Sequence, residues 1–392
     1  MTSNNFASIS DFKDKEAELT RIRRHFHANP ELSFEERETA DYVAKCLEAW
    51  GYEVTRNVGG HGVVARLTQG SGGRSIAIRA DMDALPITEE TGLAYASTKP
   101  GIMHACGHDG HTTILLGAAE YLARTRHFTG TVILIFQPAE EAGKNSGAQA
   151  MIADGLFERF PFDAIFGLHN HPGAPAGSFL MRPGPLMAAG DTVTITITGR
   201  GGHASRPHLA VDPIVVAANL VMTLQTVVSR SISPTETAVV TVGTIHGGTV
   251  SNVIPERAEI KASVRSFSPE VRHTLEERIR TIAGATAEAH GATVDIDWER
   301  GYPVVINSPA ETGFATEVVT ELVGEANVSE CPLIPGSEDF AYFLEHKPGC
   351  LLRLGNGENS AFLHNPRYDF NDSSLTTGAA MWARLVERYL QL

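Results

Sequence analysis

Short apolar runs that alternate with helical stretches constrain the fold of this chain more than any other sequence feature. Strands are predicted at residues 62–67, 75–80, 131–136 and 164–168, and residues 111–126 carry an apolar stripe at helical spacing. Strands that alternate with helices predict a mostly parallel sheet covered by helices on both faces. The fold class expected for this part of the chain is therefore α/β.

The segments before and after these strands extend the same pattern. Residues 15–50 carry apolar side chains at helical spacing and predict a helical segment that stops at Gly51. After residues 301–303, helix and strand alternate again, with a strand at 350–354 and a final helix near 375–390. We expect these C-terminal segments to complete the α/β domain.

From Asp191 the order of the predicted helices and strands changes. The elements expected there follow the order β-α-β-β-α-β, and they cover residues 192–198, 213–229, 238–245, 258–267, 269–290 and 293–298. This is the order of a ferredoxin-like α+β unit. The predicted organisation is an α/β domain of residues 1–188 and 303–392, interrupted by an inserted domain of residues 189–302.

Length, charge and cysteine content narrow the class of protein. A chain of 392 residues is long for a single core and favours two domains. A net charge of -14 argues against nucleic-acid partners and against adhesion to anionic lipid. The polar N-terminus, the lack of an apolar run long enough to cross a bilayer and the four cysteines predict a cytoplasmic protein.

Candidate functional side chains follow the predicted strands at their carboxyl ends. Asp81 and Asp83 follow one strand, Glu140 and Glu141 follow another, and His169 follows a third. In parallel sheets, ligands bind at the edge where these strand ends meet. The sequence therefore predicts a functional site at this edge.

Residues 103–111 add a cysteine and three histidines, among them Cys106 and His108. A thiolate and an imidazole two residues apart can reach one metal ion or a pair of them. The alternative is a solvated histidine-rich loop that opens the following helix. The candidate ligands at the strand ends favour the metal site.

The adjacent acids Glu140 and Glu141 have two possible interpretations. Neighbouring acids usually belong to a solvated loop, but beside a metal centre one carboxylate can bind metal while the other accepts a proton from water. Asp83 could orient a histidine ligand. His169 and His364 both follow apolar strands and are further candidate ligands, although a lone histidine is more often structural.

Eight motifs connect these clusters to a known family. The chain resembles the aminoacylase/carboxypeptidase-type dimetal peptidase family, in its hippurate hydrolase and auxin-conjugate amidohydrolase branch. The resemblance covers nearly the whole chain and rests on motifs at residues 79–86, 103–111, 137–141, 167–170, 199–205, 251–255, 336–340 and 363–366.

The resemblance implies a role for each matching residue in the α/β domain, which would be the catalytic domain. Two divalent metal ions per subunit, of zinc, manganese, cobalt or nickel, are expected. Glu140 is expected to be the general base, and Asp83 the carboxylate that orients a ligand. The residues that match the metal ligands of the branch are Cys106, His108, Glu141, His169 and His364.

The inserted ferredoxin-like domain matches the lid and dimerisation domain of the family. His203 is expected to reach the site of a neighbouring subunit and polarise the scissile carbonyl. Asn252 and Arg265 are expected to hold the substrate, with Arg265 paired to its carboxylate. These assignments imply a homodimer or a dimer of dimers.

The expected activity is metal-dependent hydrolysis of an N-acyl amino acid of the hippurate, N-acetyl or indole-acyl type. The products are a carboxylic acid and a free amino acid. One alternative is a cysteine hydrolase with Cys106 as its nucleophile. Another is a catalytically silent metal-binding or ligand-binding protein on the same scaffold.

Overall fold

The structure is a computed structural model that describes residues 6–391. The chain divides into two compact units. Unit 1 comprises Met1–Gly184, Ile306–Pro332 and Asp339–Leu392, and unit 2 comprises Pro185–Val305 and Leu333–Glu338. That these units serve as catalytic and lid domains stays a prediction.

Helices and strands alternate along most of the chain. The α-helices are α1 (Glu16–Ala28), α2 (Arg37–Ala49), α3 (His108–Thr125), α4 (Gly147–Ala153), α5 (Leu156–Arg159), α6 (Pro213–Ser231), α7 (Pro269–Ala289), α8 (Pro309–Val323), α9 (Phe340–Leu344) and α10 (Leu375–Tyr389). Short 3-10 segments occur at Ile9–Lys15, Glu140–Ala142, Pro207–Leu209, Glu325–Asn327 and Asp372–Ser374.

The strands are β1 (Glu53–Val58), β2 (Gly62–Gln69), β3 (Ser75–Asp81), β4 (Gly130–Gln137), β5 (Ala164–Pro172), β6 (Phe179–Met181), β7 (Gly184–Met187), β8 (Ala189–Thr198), β9 (Gly202–His203), β10 (Ala238–Gly247), β11 (Val253–Ile254), β12 (Arg257–Ser266), β13 (Thr293–Arg300), β14 (Val305–Asn307), β15 (Val328–Glu330) and β16 (Gly349–Gly357).

Unit 1 is built on an eight-stranded sheet in the order β1-β2-β4-β3-β5-β16-β6-β15. The four central strands, β4, β3, β5 and β16, are parallel to one another, whereas β1, β2 and β6 add antiparallel pairs. The predicted α/β fold class, a mostly parallel sheet flanked by helices, is confirmed. The parallel centre brings the carboxyl ends of four strands to one edge.

The central strands are buried on both faces, which explains their nearly continuous apolar sequences. On one face, the Phe166 ring of β5 contacts the rings of Phe314 on α8 and Tyr389 on α10. On the other face, Gly167 lies directly against the Phe340 ring of α9. Successive residues of β5 therefore pack into opposite layers of helices.

The prediction of one helical segment over residues 15–50 is wrong in one respect. The chain forms two helices, α1 and α2, because the segment between them contains Pro30. Proline disfavours the helical conformation of the residue before it and lacks an N–H donor of its own. The resulting α1–α2 loop, residues 29–36, carries buried acidic side chains that contact other parts of unit 1.

Unit 2 contains a four-stranded antiparallel sheet in the order β10-β12-β8-β13. Along the chain its elements follow the order β8-α6-β10-β12-α7-β13, which confirms the predicted ferredoxin-like unit. Strict alternation in β8 places Val193, Ile195 and Ile197 in a core with α6 and α7. The threonines between them lie on the other face of the sheet.

Helix α6 is apolar and long enough to cross a membrane when judged by length and composition alone. A helix of this composition also occurs where one face packs into the core of a globular domain. Val216, Leu220 and Leu224 of this helix are buried in the core of unit 2. Packing within the unit accounts for this buried face, whereas Ile214, Val215 and Met222 of the same helix are exposed.

A buried ionic cluster joins α1 to the first turn of α3. His27 on α1 donates its Nδ1 proton to Asp109 on α3 at 2.8 Å, and its Nε2 lies 3.3 Å from Glu89. Burial by itself lowers the pKa of His27, but the hydrogen bonds to the two carboxylates raise it to about 9. His27 is therefore an imidazolium ion at neutral pH.

Replacing His27 with glutamine should lower the free energy of unfolding by about 1–3 kcal/mol at pH 6, because a charged hydrogen bond is lost. The folded-state pKa of about 9 lies above the ordinary value of 6.5. The stabilisation should therefore be complete below pH 6.5 and disappear as the pH rises through 9. Denaturant unfolding from pH 6 to 10 measures the difference, and exposed His25→Gln on the same helix is the control. A constant difference across this range would contradict the prediction.

Candidate metal centre

Two groups of possible ligands meet at the carboxyl edge of the unit 1 sheet. The donor atoms of Cys106, His108 and His169 all lie within 4.8 Å of one another, and so do those of Cys106, Glu141 and His364. The thiol of Cys106 belongs to both groups. The residues of the two groups could together hold a pair of metal ions.

His108 begins α3 and has one ring nitrogen available to a metal. Its Nδ1 donates to the Asp83 carbonyl oxygen at 2.9 Å and lies 3.2 Å from Asp83 Oδ1. Its Nε2 is buried and has no hydrogen-bond partner among residues 6–391. Since Nδ1 must carry the proton of the neutral ring, the Nε2 lone pair is available as a ligand.

The charges around His108 favour a cation. Burial opposes charge on the ring, but Asp81, Asp83 and Glu141 raise the pKa of His108 to about 10. In the absence of metal, a proton supplies the positive charge that these carboxylates stabilise. A divalent ion would replace that proton, so the donor set and its surroundings fit a metal.

Cys106 and His169 are the other two members of the group that contains His108. Cys106 Sγ lies 3.5 Å from His169 Nε2, while His169 Nδ1 donates to the Asn170 carbonyl oxygen at 2.9 Å. Burial and the Arg353 charge lower the pKa of His169, so its ring is neutral. Burial and the nearby glutamates raise the pKa of the Cys106 thiol, which a bound cation would reverse.

Glu140 and Glu141 lie in a 3-10 turn that is separated from the end of β4 by two residues, Pro138 and Ala139. The Asp83 carboxylate accepts both of their peptide N–H groups, from Glu140 at 3.1 Å and from Glu141 at 2.9 Å. His364 Nε2 lies 3.1 Å from Glu141 Oε1, and this hydrogen bond raises the pKa of His364. Asp83 therefore contacts both the ring of His108 and the backbone of the glutamate pair.

A buried network that the sequence analysis did not assign lies beside this turn. Arg79 donates to Asp81 at 2.6 Å and to Asp339 at 2.9 Å, and it also bonds the side chain of Gln137. The peptide N–H of Asp339 lies 3.4 Å from Glu140 Oε1. These residues lie in three of the eight motifs. The available sequence signal was Arg79, which precedes the acids Asp81 and Asp83 at the end of an apolar strand.

Three of the predicted site residues, His203, Asn252 and Arg265, lie in unit 2. His203 is exposed, and its Nδ1 accepts the Ser205 N–H at 3.1 Å, which leaves the proton of the neutral ring on Nε2. The Asn252 carbonyl oxygen accepts the Ala204 N–H beside it. Arg265 donates to Ser337 Oγ at 2.8 Å. The roles of these three residues stay predictions.

Gly107 permits the approach of the segments that carry the candidate ligands. Its φ of 89° lies in the left-handed region, and a Cβ atom there would lie 2.6 Å from Tyr368 Oη and 2.7 Å from Asn170 Oδ1. Both the conformation and the space exclude a side chain. The residue separates Cys106 from His108, so any shift of its backbone moves both donors.

Gly107→Ala should reduce metal affinity by about 10–100-fold, because a change in the residues that orient metal ligands typically lowers the affinity by this factor. Gly92→Ala is the matched control, since Gly92 also has a positive φ of 70° but nothing within 4 Å of an added Cβ. Isothermal titration with Zn²⁺ or Mn²⁺ measures the affinities. Equal affinity in the two variants would show that the close approach at Gly107 does not position the donors.

The α/β fold and the thiol, imidazole and carboxylate donors at its edge define a candidate metal-dependent hydrolase, and comparisons with known proteins agree. The sequence profile of Peptidase family M20/M25/M40 matches residues 77–388. The chain is 44% identical to a hippurate hydrolase from Campylobacter jejuni, with 98% of this chain and 99% of that protein covered. It is 41% identical to an N-acetyl-L-cysteine deacetylase from Bacillus subtilis, with coverages of 92% and 85%.

A solved structure is similar over nearly the whole chain. The crystal structure of a dinuclear metal-binding peptidase of the M20 family from Bacillus subtilis has a TM-score of 0.85 and 34% identity, with 97% of this chain and 99% of that chain covered. The chain belongs to Peptidase family M20/M25/M40 and is a hydrolase of that family. The family and the enzyme class predicted from the sequence are confirmed. The dinuclear centre of the relative supports a binuclear metal site here.

Proposed function

We propose that this protein is a two-metal amidohydrolase that cleaves N-acyl amino acids into a carboxylic acid and a free amino acid. The observation that carries the proposal is that the Cys106 thiol belongs to two groups of close donor atoms, one with His108 and His169 and the other with Glu141 and His364. A thiolate shared by two such groups would supply a ligand to the metal centre. The proposed ligands are Cys106, His108, Glu141, His169 and His364.

The two ions would be zinc, manganese, cobalt or nickel, all of which accept mixed sulfur, nitrogen and oxygen ligands. When bound, they would lower the pKa of a coordinated water and polarise the scissile carbonyl. The alternative role of Cys106 as a nucleophile has less support, because burial and the neighbouring glutamates raise the pKa of its thiol.

Glu140 is the proposed general base. It is buried next to Glu141 in the turn after β4, and its side chain is near the peptide N–H of Asp339. Glu140 accepts a proton from the attacking water and then delivers it to the nitrogen of the departing amino acid. Asp83 keeps the proton of the neutral His108 ring on Nδ1. The lone pair of Nε2 is then available to bind metal.

The names of the relatives support the substrate class. Hippurate is the benzoyl amide of glycine, and N-acetylcysteine is the acetyl amide of another amino acid, so both contain an acyl group on an α-amino nitrogen. Arg265 is proposed to bind the substrate carboxylate, and Asn252 to hold the substrate beside it. A cytoplasmic location is also proposed, because the chain contains only four cysteines. No membrane or nucleic-acid partner is proposed, because the net charge is -14.

Turnover of a panel of substrates tests the proposal. The metal-free protein, reconstituted separately with each of the four ions, should hydrolyse N-benzoylglycine or an N-acetyl amino acid, and a chelator should abolish this activity. Release of the free amino acid is the quantity measured. Full activity in the thoroughly chelated protein would contradict a metal-dependent mechanism, and tight metal binding without turnover of any member would favour a silent binding protein.

Glu140→Gln and Glu141→Gln should separate catalysis from metal binding. Glu140→Gln should lower kcat by about 10²–10⁴-fold with normal metal content, because it removes the base. Glu141→Gln should lower metal retention after dialysis, because it removes a proposed ligand. Metal analysis and initial rates measure the two effects. The reverse pattern, with metal lost from the Glu140 variant and retained by the Glu141 variant, would exchange the assigned roles.

We also propose a dimer in which His203 acts in the site of the partner subunit. Strand β10 is an exposed edge of the unit 2 sheet, and such edges can pair with a second chain. Ile214, Val215 and Met222 of α6 are exposed apolar side chains that a partner could cover. The Nε2 proton of His203 is suited to stabilise a developing oxyanion.

Mixed dimers test the shared site. Glu140→Gln and His203→Ala proteins should each be nearly inactive, but refolding them together should restore roughly a quarter of wild-type activity, because each mixed dimer contains one intact site. Each variant refolded alone is the control, and affinity tags verify mixing. Tagged mixed dimers without recovered activity would place His203 in its own subunit's site or outside catalysis.

A further inference from the structure

The turn that carries the glutamate pair starts in an unusual conformation. Ala139 has φ 52° and ψ 46°, in the left-handed region that residues with a side chain rarely adopt. A residue in this region persists only where its surroundings hold it. Because Ala139 directly precedes Glu140, its dihedral angles set the direction in which the Glu140 side chain leaves the backbone.

Three consecutive peptide N–H groups of this turn each donate to a buried carboxyl group. Asp83 accepts the N–H groups of Glu140 and Glu141, as described above. The N–H of Ala139 donates instead to Glu36 Oε1 at 2.8 Å. Asp83 therefore cannot hold the turn alone, and its first residue depends on a second acid.

Glu36 comes from the α1–α2 loop and is fully buried. The same oxygen, Oε1, also accepts the N–H of Phe34 at 2.9 Å, so the loop holds the carboxyl group at a defined position. The second oxygen, Oε2, is buried without a hydrogen-bond partner among the described residues. Burying a carboxyl group is costly, and the two hydrogen bonds that Glu36 accepts satisfy the backbone of the loop and of the turn.

We infer that Glu36 is a positioning residue for catalysis, which holds Ala139 in the left-handed conformation and thereby aims Glu140 at the substrate. The inference rests on the proposed function, since it assumes that Glu140 is the general base. Glu36 does not contact the proposed metal ligands directly through any described hydrogen bond. Its loss should therefore affect the catalytic step more than substrate binding.

The protonation state of Glu36 determines which substitution preserves its function. Burial and the charge of Asp83 raise the pKa of Glu36 to about 8, so the group is largely a neutral acid at pH 7. Glutamine has the same length and supplies one carbonyl oxygen that can accept both N–H groups. Aspartate retains the carboxyl group but draws it back by one methylene, and leucine fills the space without an acceptor.

The test compares Glu36→Gln, Glu36→Asp and Glu36→Leu. Glu36→Gln should keep kcat within about 3-fold of wild type, whereas Glu36→Asp and Glu36→Leu should lose about 10–100-fold in kcat, a typical loss when a residue that supports a metal site is removed. KM for the N-acyl amino acid should change by less than about 3-fold in all three, because the substrate contacts remain. If Glu36→Leu does not fold, the contrast between glutamine and aspartate decides.

Glu31→Leu is the matched control for a general weakening of the loop. Glu31 is also buried in the α1–α2 loop, and it accepts two peptide N–H groups, from Glu38 at 3.1 Å and from Thr39 at 2.9 Å. Its loss removes the same number of buried hydrogen bonds but leaves Ala139 untouched. Glu31→Leu should lower the melting temperature without a comparable loss in kcat.

A spectroscopic measurement separates this inference from the proposed function. Cobalt-substituted proteins should show the same Co²⁺ stoichiometry in wild type and in the Glu36 variants, with an altered visible absorption in Glu36→Asp and Glu36→Leu. The spectrum of Glu36→Gln should match that of wild type. If wild type is active and Glu140→Gln is inactive, the proposed function stands independently of the Glu36 results.

Three outcomes would overturn the inference. The first is wild-type kcat in a folded Glu36→Leu or Glu36→Asp protein. The second is equal damage in Glu36→Gln and Glu36→Leu, because the oxygen acceptor would then not be the feature that matters. The third is an equal loss of kcat in Glu31→Leu and Glu36→Leu, which would reduce Glu36 to a structural support of the loop.

Discussion

The candidate metal centre depends above all on the carboxylate of Asp83. It lies beside the ring of His108, and it accepts the peptide N–H groups of Glu140 and Glu141. Burial alone would raise the pKa of Asp83, but these donors and Ser33 lower it, so the group is ionised. One buried charge thus sets the tautomer of a proposed ligand and the backbone of the proposed base at the same time.

The buried charges around this carboxylate explain why the centre suits cations. Asp81 and Asp83 both lie beside the His108 ring. Asp81 also forms hydrogen bonds with Arg79 and His111. Burial would raise the pKa of Asp81, yet the neighbouring positive charges lower it well below its ordinary value. Buried carboxylates remain ionised only where cations balance them, so binding of metal and the stability of this region are expected to be coupled.

Much of the fold and the composition of the site could be predicted from the sequence. Period-two and helical patterns predicted the alternating elements and the ferredoxin-like order. The motifs at residues 103–111 and 137–141 contain Cys106, His108, Glu140 and Glu141, which the structure brings together at the sheet edge. Local periodicity failed at Pro30, where one helical pattern spans two helices. The helical spacing of apolar side chains continues past Pro30, although the helix itself is interrupted there.

The sequence by itself determined which donor types are present and that strand ends carry them, because parallel strands necessarily end at a common edge. Only the tertiary structure decided that Glu36 accepts the N–H of Ala139, 103 residues further along the chain. It also revealed the positive φ of Ala139 and the close approach of Asn170 to Gly107. The physical reason is that a backbone donor takes whichever acceptor the packed chain brings within reach, and no local pattern of residues encodes that partner.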